Sequence, residues 1–281
     1  MNAEQQHAME IVREADRDRY LSVLFAPEGK RGALCSLYAF NAEVARIRDI
    51  IHEPLPGEIR LQWWRDVIED GAPEAAAGHP VAAALLETIR TYDLPRAAFG
   101  NYLDARIFDL YDDPMPSRND LEGYCGETAS ALIQMASLVL DPGKAQDFAV
   151  AAGHAGCAQA MTGLLRLLPI HLSRGQCFVP RDLLSAAGTT PEAFIAREDG
   201  VAAARAIDAM IALAGEHFSA FQRETKTLPA GLRPAYLPAT LAGRYLSRLS
   251  GGKVDPMREI AEIPELRRYW TVFRHAMWGW R

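Results

Sequence analysis

Strict alternation of apolar and polar residues is essentially missing from this sequence, so a sheet-based fold has little to be built from. No run of eighteen apolar residues occurs either. The best stretch, residues 145–168, is broken by Asp147, His154, Gln159 and Arg166, which argues against a membrane-spanning helix. Cysteine is scarce: Cys35, Cys125, Cys157 and Cys177 are the only four in 281 residues, and none form a C-x-x-C pair. Dispersed thiols of this kind read as reduced, buried residues of a cytosolic chain, in preference to disulfides or a four-cysteine zinc site. Positive charge is not in excess. The net charge of −6 argues against a nucleic-acid binder, which would carry a basic face. The opening Met1-Asn2-Ala3-Glu4-Gln5-Gln6-His7 lacks the basic and apolar regions of a secretory signal, and Glu4, Glu10 and Glu14 speak against a transit segment. There is no G-x-S-x-G, phosphate loop or dinucleotide fingerprint.

What the sequence does hold is helical periodicity in an ordinary globular composition, 49% apolar and 23% charged. Leu121, Tyr124, Cys125, Thr128, Leu132, Met135 and Val139 recur at spacings of three and four, opened by a capping box at Ser117 and Asp120 and closed by Asp141-Pro142-Gly143. Thr190-Pro191-Glu192 supplies an N-cap, a first-turn proline and a first-turn acid. A further helix is expected over residues 201–224, with Ile207, Met210, Ile211, Ala214, Phe218 and Phe221 on one face. The alanine runs at 75–77 and 202–204 suit closely packed helices. No repeat or low-complexity linker interrupts the chain. The expectation is a single all-α domain over residues 1–281, a bundle of ten or more helices.

One region carries more specific information. Leu37-Tyr38-Ala39-Phe40 leads through Asn41-Ala42-Glu43-Val44 into Ala45-Arg46-Ile47-Arg48-Asp49, and Trp63-Trp64-Arg65-Asp66 follows. Further on come His79-Pro80-Val81-Ala82, Tyr124-Cys125 with Thr128-Ala129-Ser130, then Thr162, Arg166, Arg174-Gly175 and Phe178-Val179-Pro180. In this order, over roughly residues 15–250, these segments resemble the squalene/phytoene synthase family. The resemblance implies an isoprenoid synthase-type helical bundle. It also implies, for active members, two aspartate-rich helices that hold Mg²⁺ on a prenyl diphosphate.

A diphosphate leaving group needs hard cations with oxygen ligands to bridge it to protein. Aligned through Tyr38-Ala39-Phe40, the first D-D-x-x-D motif falls on Ala45-Arg46-Ile47-Arg48-Asp49, and only Asp49 keeps its carboxylate. Aligned through Arg174-Gly175, the second motif's aspartates fall on Leu167 and His171, with Pro169 breaking the helix between them. Of positions 45, 49, 167 and 171, three have lost the carboxylate, and Arg46 sets a cation where another stood. A metal-dependent ionisation therefore looks disabled, and no resident cofactor is expected; Mg²⁺ belongs only to an enzyme reading. Tyr38, Arg46, Arg48, Arg166, His171 and Arg174 are the candidate binding residues, suited to an anionic lipid headgroup or prenyl diphosphate taken directly by guanidinium forks. The alternative is that these arginines pair with Glu43, Asp49 and their neighbours. Asp104, Asp109, Asp112 and Asp113 read as a solvated helix end, Glu43 as a local partner of Arg46, and His154 as a packed, hydrogen-bonded histidine.

A second resemblance is closer. Residues 39–49, Leu165-Arg166, Pro169 with His171, Ser173-Arg174 and Phe178-Val179-Pro180 are similar to the branch of this family that includes the mitochondrial complex I assembly factor, which also lacks the aspartate motifs. That implies a non-catalytic assembly or binding factor whose partners are complex I subunits or assembly intermediates. An active prenyltransferase joining two farnesyl or geranylgeranyl diphosphates, and an isoprenoid or lipid carrier, are the rival readings. At the C-terminus Arg267, Arg268, Arg274, His275 and Arg281 are interleaved with Tyr269, Trp270, Phe273, Met277, Trp278 and Trp280. This mixture suits peripheral contact with the inner face of a membrane, or a partner groove; a last helix docking its aromatics into the core is the other reading.

Overall fold

The computed structural model describes residues 1–252 and 254–280. Their regular structure is helical: α1 (Ala3–Ala15), α2 (Arg17–Leu24), α3 (Glu28–Ala45), α4 (Ile47–Ile50), α5 (Pro54–Asp70), α6 (Pro80–Tyr92), α7 (Arg96–Ile107), α8 (Arg118–Cys125), α9 (Ala131–Leu140), α10 (Pro142–Ala145), α11 (Ala149–Arg166), α12 (Leu168–Ser173), α13 (Arg181–Ala187), α14 (Pro191–Ala196), α15 (Gly200–Glu224), α16 (Arg233–Tyr236), α17 (Ala242–Leu249) and α18 (Glu265–Trp278). The chain folds into two compact units, each drawn from several stretches: residues 1–111, 131–149 and 228–238 form the first, and 112–130, 150–227 and 239–281 the second.

In the first unit α3 packs against α1, α6 and α9, and α5 against α7. Most of α3 is buried, from Gly32 to Ala42, because neighbours meet it on several sides. Phe40 anchors the core. Its ring makes edge contacts with Trp64 at 5.1 Å and Phe99 at 5.6 Å, and lies 5.2 Å from Tyr102. Such pairs add to what area burial alone supplies. The Tyr102 hydroxyl donates to Asn41 Oδ1 at 2.9 Å, which satisfies two polar groups inside this apolar cluster. The alanine run at 75–77 does not form a helix as expected. Pro73 and Gly78 bracket it, and residues 73–76 make a single 3₁₀ turn.

In the second unit α15 runs Gly200–Glu224, one residue longer than expected, capped by Asp199, whose carboxylate accepts from Val201 and Ala202 N–H. Ala202 and Ala203 are buried where α15 packs against α13, so that alanine run does allow close approach. The Thr190 and Ser117 caps form as expected. The expected uninterrupted stripe from Leu121 to Val139 is broken instead by a π-helical turn at Gly126–Ser130. Ser130 Oγ donates to the Gly153 carbonyl on α11 at 2.9 Å, and the backbones meet closely at Gly156. Widening of the helix by one residue per turn accommodates this contact. All four cysteines are buried and form no disulfide; burial pushes the Cys35 thiol up to about 12 and the Cys177 thiol to about 11.

On α18 the buried residues are Thr271, Val272 and His275. The aromatic side points to solvent: Trp270 is 57% exposed and Trp278 56%, with Phe273 and Met277 also exposed. The rings of Trp270, Phe273 and Trp278 lie within 5.8–6.4 Å of one another. Docking of Trp270, Phe273 and Met277 into the core is thereby overturned, since the helix uses its small and polar side for packing. Trp280 does turn inward, its ring 5.6 Å from Phe221, while Arg281 lies outside the described residues.

A Cβ added at Gly156 would come within 2.3 Å of the Ser130 backbone nitrogen, whereas one at Gly163 on the same helix would meet open space. Gly156→Ala is expected to cost about 1–3 kcal/mol in chemical denaturation, and Gly163→Ala to add about 0.5–1 kcal/mol through helix propensity. Equal effects at the two positions would contradict this close approach.

Candidate functional site

In the first unit, the residues flagged on α3 split into a buried and an exposed group. Tyr38 is buried, 2% exposed, with the Arg19 guanidinium 5.6 Å above its ring. Burial pushes the phenol well above its ordinary value, against the opposing charge of Arg19, which is itself paired with Asp16. α3 then ends at Ala45, and Arg46 forms the turn into the short α4. Ala45, Arg46 and Asp49 are exposed; Arg48 is half-buried and donates to the His52 carbonyl. The structure thus brings Arg46 and Arg48 to one turn with Asp49, and sets Tyr38 two turns back in the core.

Beside them Glu43 Oε2 lies 3.4 Å from His79 Nε2. Glu43 was expected to pair locally with Arg46. Its close contact is with His79, while Arg60, His7 and Arg46 act on it through space. Burial raises the Glu43 carboxyl, and the positive charge of Arg60 and Arg46 opposes the rise. His79 is the N-cap of α6, its Nδ1 accepting from Ala82 N–H at 3.3 Å, with Pro80 in the first turn. Burial lowers the His79 pKa and Arg60 lowers it further, one guanidinium nitrogen of Arg60 lying 3.3 Å from the same Nε2. The downstream acids are structural. Asp104 pairs with Arg65 and Asp109 with Arg106 at 2.9 Å, while Asp112 and Asp113 are exposed.

In the second unit α11 ends at Arg166, and the chain restarts as α12 with Pro169 in its first turn. Arg166 is held by the C-terminal segment: Nε donates to the Ala261 carbonyl at 3.1 Å, a second nitrogen lies 3.1 Å from Glu262, and the guanidinium sits 3.9 Å over Tyr245. His171 packs edge-on against Phe178 at 4.7 Å. Arg174 caps α12 and is exposed, and Gly175 follows in the left-handed conformation that glycine adopts without strain. His171 and Arg174 therefore share one short helix and its end, with Arg166 engaged elsewhere. A cavity of about 340 Å³ in this unit is lined by Ile207, Ile211, Leu249, Val254 and Met257 with Arg197, and by none of the six candidate residues.

The family model described as squalene/phytoene synthase matches residues 12–271. The chain belongs to the squalene/phytoene synthase family. Among its relatives, the mouse protein named NADH dehydrogenase (ubiquinone) complex I, assembly factor 6 is 30% identical over 244 residues, covering 86% of this chain and 73% of that one. A presqualene diphosphate synthase of Sinorhizobium fredii is 30% identical over 175 residues, 61% of each chain. The crystal structure of a dehydrosqualene synthase in complex with ligand superposes with a TM-score of 0.79 at 17% identity, covering 96% and 94% of the two chains, which supports the all-α isoprenoid synthase-type fold.

For this squalene/phytoene synthase family member, the Mg²⁺-diphosphate group that the family implies meets a poor donor set. The motif positions hold a methyl group at Ala45, guanidinium at Arg46 and an isobutyl group at Leu167, and His171 offers imidazole, which Mg²⁺ takes poorly. Among the described residues, no group of three or more His, Cys, Asp or Glu is arranged to hold a metal ion. These residues do not fit Mg²⁺, and no reaction step is derived through it.

Two features escaped the sequence. The cap formed by His79 was open to recognition, because a histidine before a first-turn proline has the position for it. The partner of His154 was not: His217 lies 63 residues further along, and its Nδ1 is 3.1 Å from that of His154.

The cap makes a pH prediction. Because the folded-state pKa of His79 is depressed, its contribution is fully present above the ordinary value of 6.5 and is lost as pH falls below it, when the unfolded ring takes the proton first. Stability measured by denaturation is expected to fall between about pH 7.5 and 5.5, and less so in His79→Asn, whose amide caps without titrating. The same acid loss in that variant would contradict the assignment.

Proposed function

We propose that this chain is a non-catalytic member of the squalene/phytoene synthase family that acts as an assembly or binding factor for respiratory complex I. The observation that carries this reading is the charge reversal at the first aspartate motif, where Ala45 and Arg46 leave Asp49 as the lone carboxylate of the set. Two unit charges about 4 Å apart interact by roughly 1–4 kcal/mol between bulk water and a protein surface, so the acid-to-arginine exchange at position 46 turns a comparable attraction for Mg²⁺ into repulsion. Similarity to the complex I assembly factor across 86% of the chain supports the choice of partner: complex I subunits or assembly intermediates. Arg46 and Arg48 on their turn, and His171 with Arg174 on α12, are the groups proposed to meet a prenyl diphosphate or an anionic headgroup.

The exposed face of α18 supports a peripheral place on a membrane. Trp270, Phe273, Met277 and Trp278 offer an apolar, aromatic surface, and exposed Arg267 and Arg274 add positive charge suited to anionic lipid. Among the described residues no helix is long and apolar enough to cross a membrane. The similarity to a presqualene diphosphate synthase favours the rival enzyme reading, which requires carboxylates that the motif positions do not supply.

In a host deleted for this gene, the amount of assembled complex I is expected to fall and to recover with the wild-type chain. The double variant Trp270→Ala, Trp278→Ala, folded as judged by circular dichroism, is expected to leave the membrane fraction and to restore less. Unchanged complex I on deletion would overturn the assembly reading; full membrane association of the double variant would overturn the role of α18.

A further inference from the structure

The second unit contains a polar cluster that the family motifs do not touch. His154 on α11 and His217 on α15 face each other, with their Nδ1 atoms 3.1 Å apart and the rings inclined at 50°. On its far side His217 presents Nε2 to Glu122 Oε1 at 3.2 Å. Glu122 is in turn fixed by Arg118, whose Nε donates to the same oxygen at 2.9 Å, and a second Arg118 nitrogen reaches Glu216 at 3.5 Å. Glu122 Oε1, held in place by Arg118, accepts the Nε2–H of His217. This fixes the tautomer and leaves the Nδ1 lone pair of His217 directed at His154.

Two arrangements satisfy that lone pair. Either His154 donates a proton across the gap, or a cation accepts both nitrogens. Imidazole bound through one nitrogen, with the other donating to a carboxylate, is the usual arrangement of a metal-ligating histidine. Around a tetrahedral ion with bonds of about 2.0–2.1 Å, two nitrogens sit roughly 3.3 Å apart, so the observed separation needs only a slight opening. We propose that His154 and His217 form a two-imidazole site for a borderline divalent transition-metal ion of the Zn²⁺ class, with Glu122 as the carboxylate that positions His217. Nitrogen donors select Zn²⁺, Cu²⁺ or Ni²⁺ over Mg²⁺, so this site is chemically separate from the diphosphate chemistry of the family. Cys157, one turn beyond His154, does not join the set: its Sγ is directed at the Glu122 carbonyl at 3.9 Å. With no third such side chain converging among the described residues, solvent completes the coordination.

The test titrates the purified full-length chain with Zn²⁺ by calorimetry and with Co²⁺ by visible ligand-field absorption. One equivalent is expected to bind. His154→Gln and His217→Gln should each abolish binding, and Glu122→Gln should weaken it about 10–100-fold without changing the stoichiometry. Absence of uptake, or uptake undiminished in the two histidine variants, would overturn the proposal. Imidazole NMR of the unaltered chain gives a reading independent of variant folding. Zn²⁺ should shift the resonances of His154 and His217; shifts confined to the other histidines would reject the site.

Discussion

Magnesium gathers where carboxylates cluster and is repelled where guanidinium groups do, and a prenyl diphosphate leaves only when enough positive charge is brought to it by such ions. The functional reading of this chain depends on that balance. At the turn between α3 and α4 the balance has changed sign: Arg46 and Arg48 stand with a single acid, Asp49. At the second motif's positions stand an aliphatic side chain, Leu167 at the N-cap of α12, and an imidazole, His171 within that helix, with Pro169 in its first turn.

The other motif residues make structural contacts of their own. Leu37, Phe40 and Trp64 are fully buried, and Phe40 links three aromatic neighbours. His79 caps α6, and Pro80 opens it. Arg65 is paired with Asp104, and Arg166 is fastened to the segment around Ala261. Each of these contacts stabilises the helices in which the motifs lie, and none of them runs through positions 45, 46, 167 or 171. The all-α backbone they hold superposes on that of a dehydrosqualene synthase at 17% identity.

The helical class, the caps at Ser117 and Thr190 and the long α15 were legible in the sequence, because each is written in local spacing. So was the break at Pro169. The π-turn at Gly126–Ser130 was not, since its partners, Gly156 in close approach and the Gly153 carbonyl accepting from Ser130, come from another helix. The 3₁₀ turn at residues 73–76 was misread because an alanine run favours helix while its flanking proline and glycine confine it. On α18 the amphipathic pattern was visible, but which face turns inward was decided by the small and polar Thr271, Val272 and His275. At the candidate site the identities at positions 45, 46, 167 and 171 could be read directly. The Glu43–His79 contact and the His154–His217 pair could not, because tertiary structure alone brings them together.

The most direct test of the central claim incubates the purified chain with farnesyl or geranylgeranyl diphosphate and Mg²⁺ and measures released pyrophosphate. With its acidic anchors replaced, the chain should release none above a protein-free control. Mg²⁺-dependent release that is lost on Asp49→Asn would contradict the account, because it would mean that the surviving acid still recruits the metal.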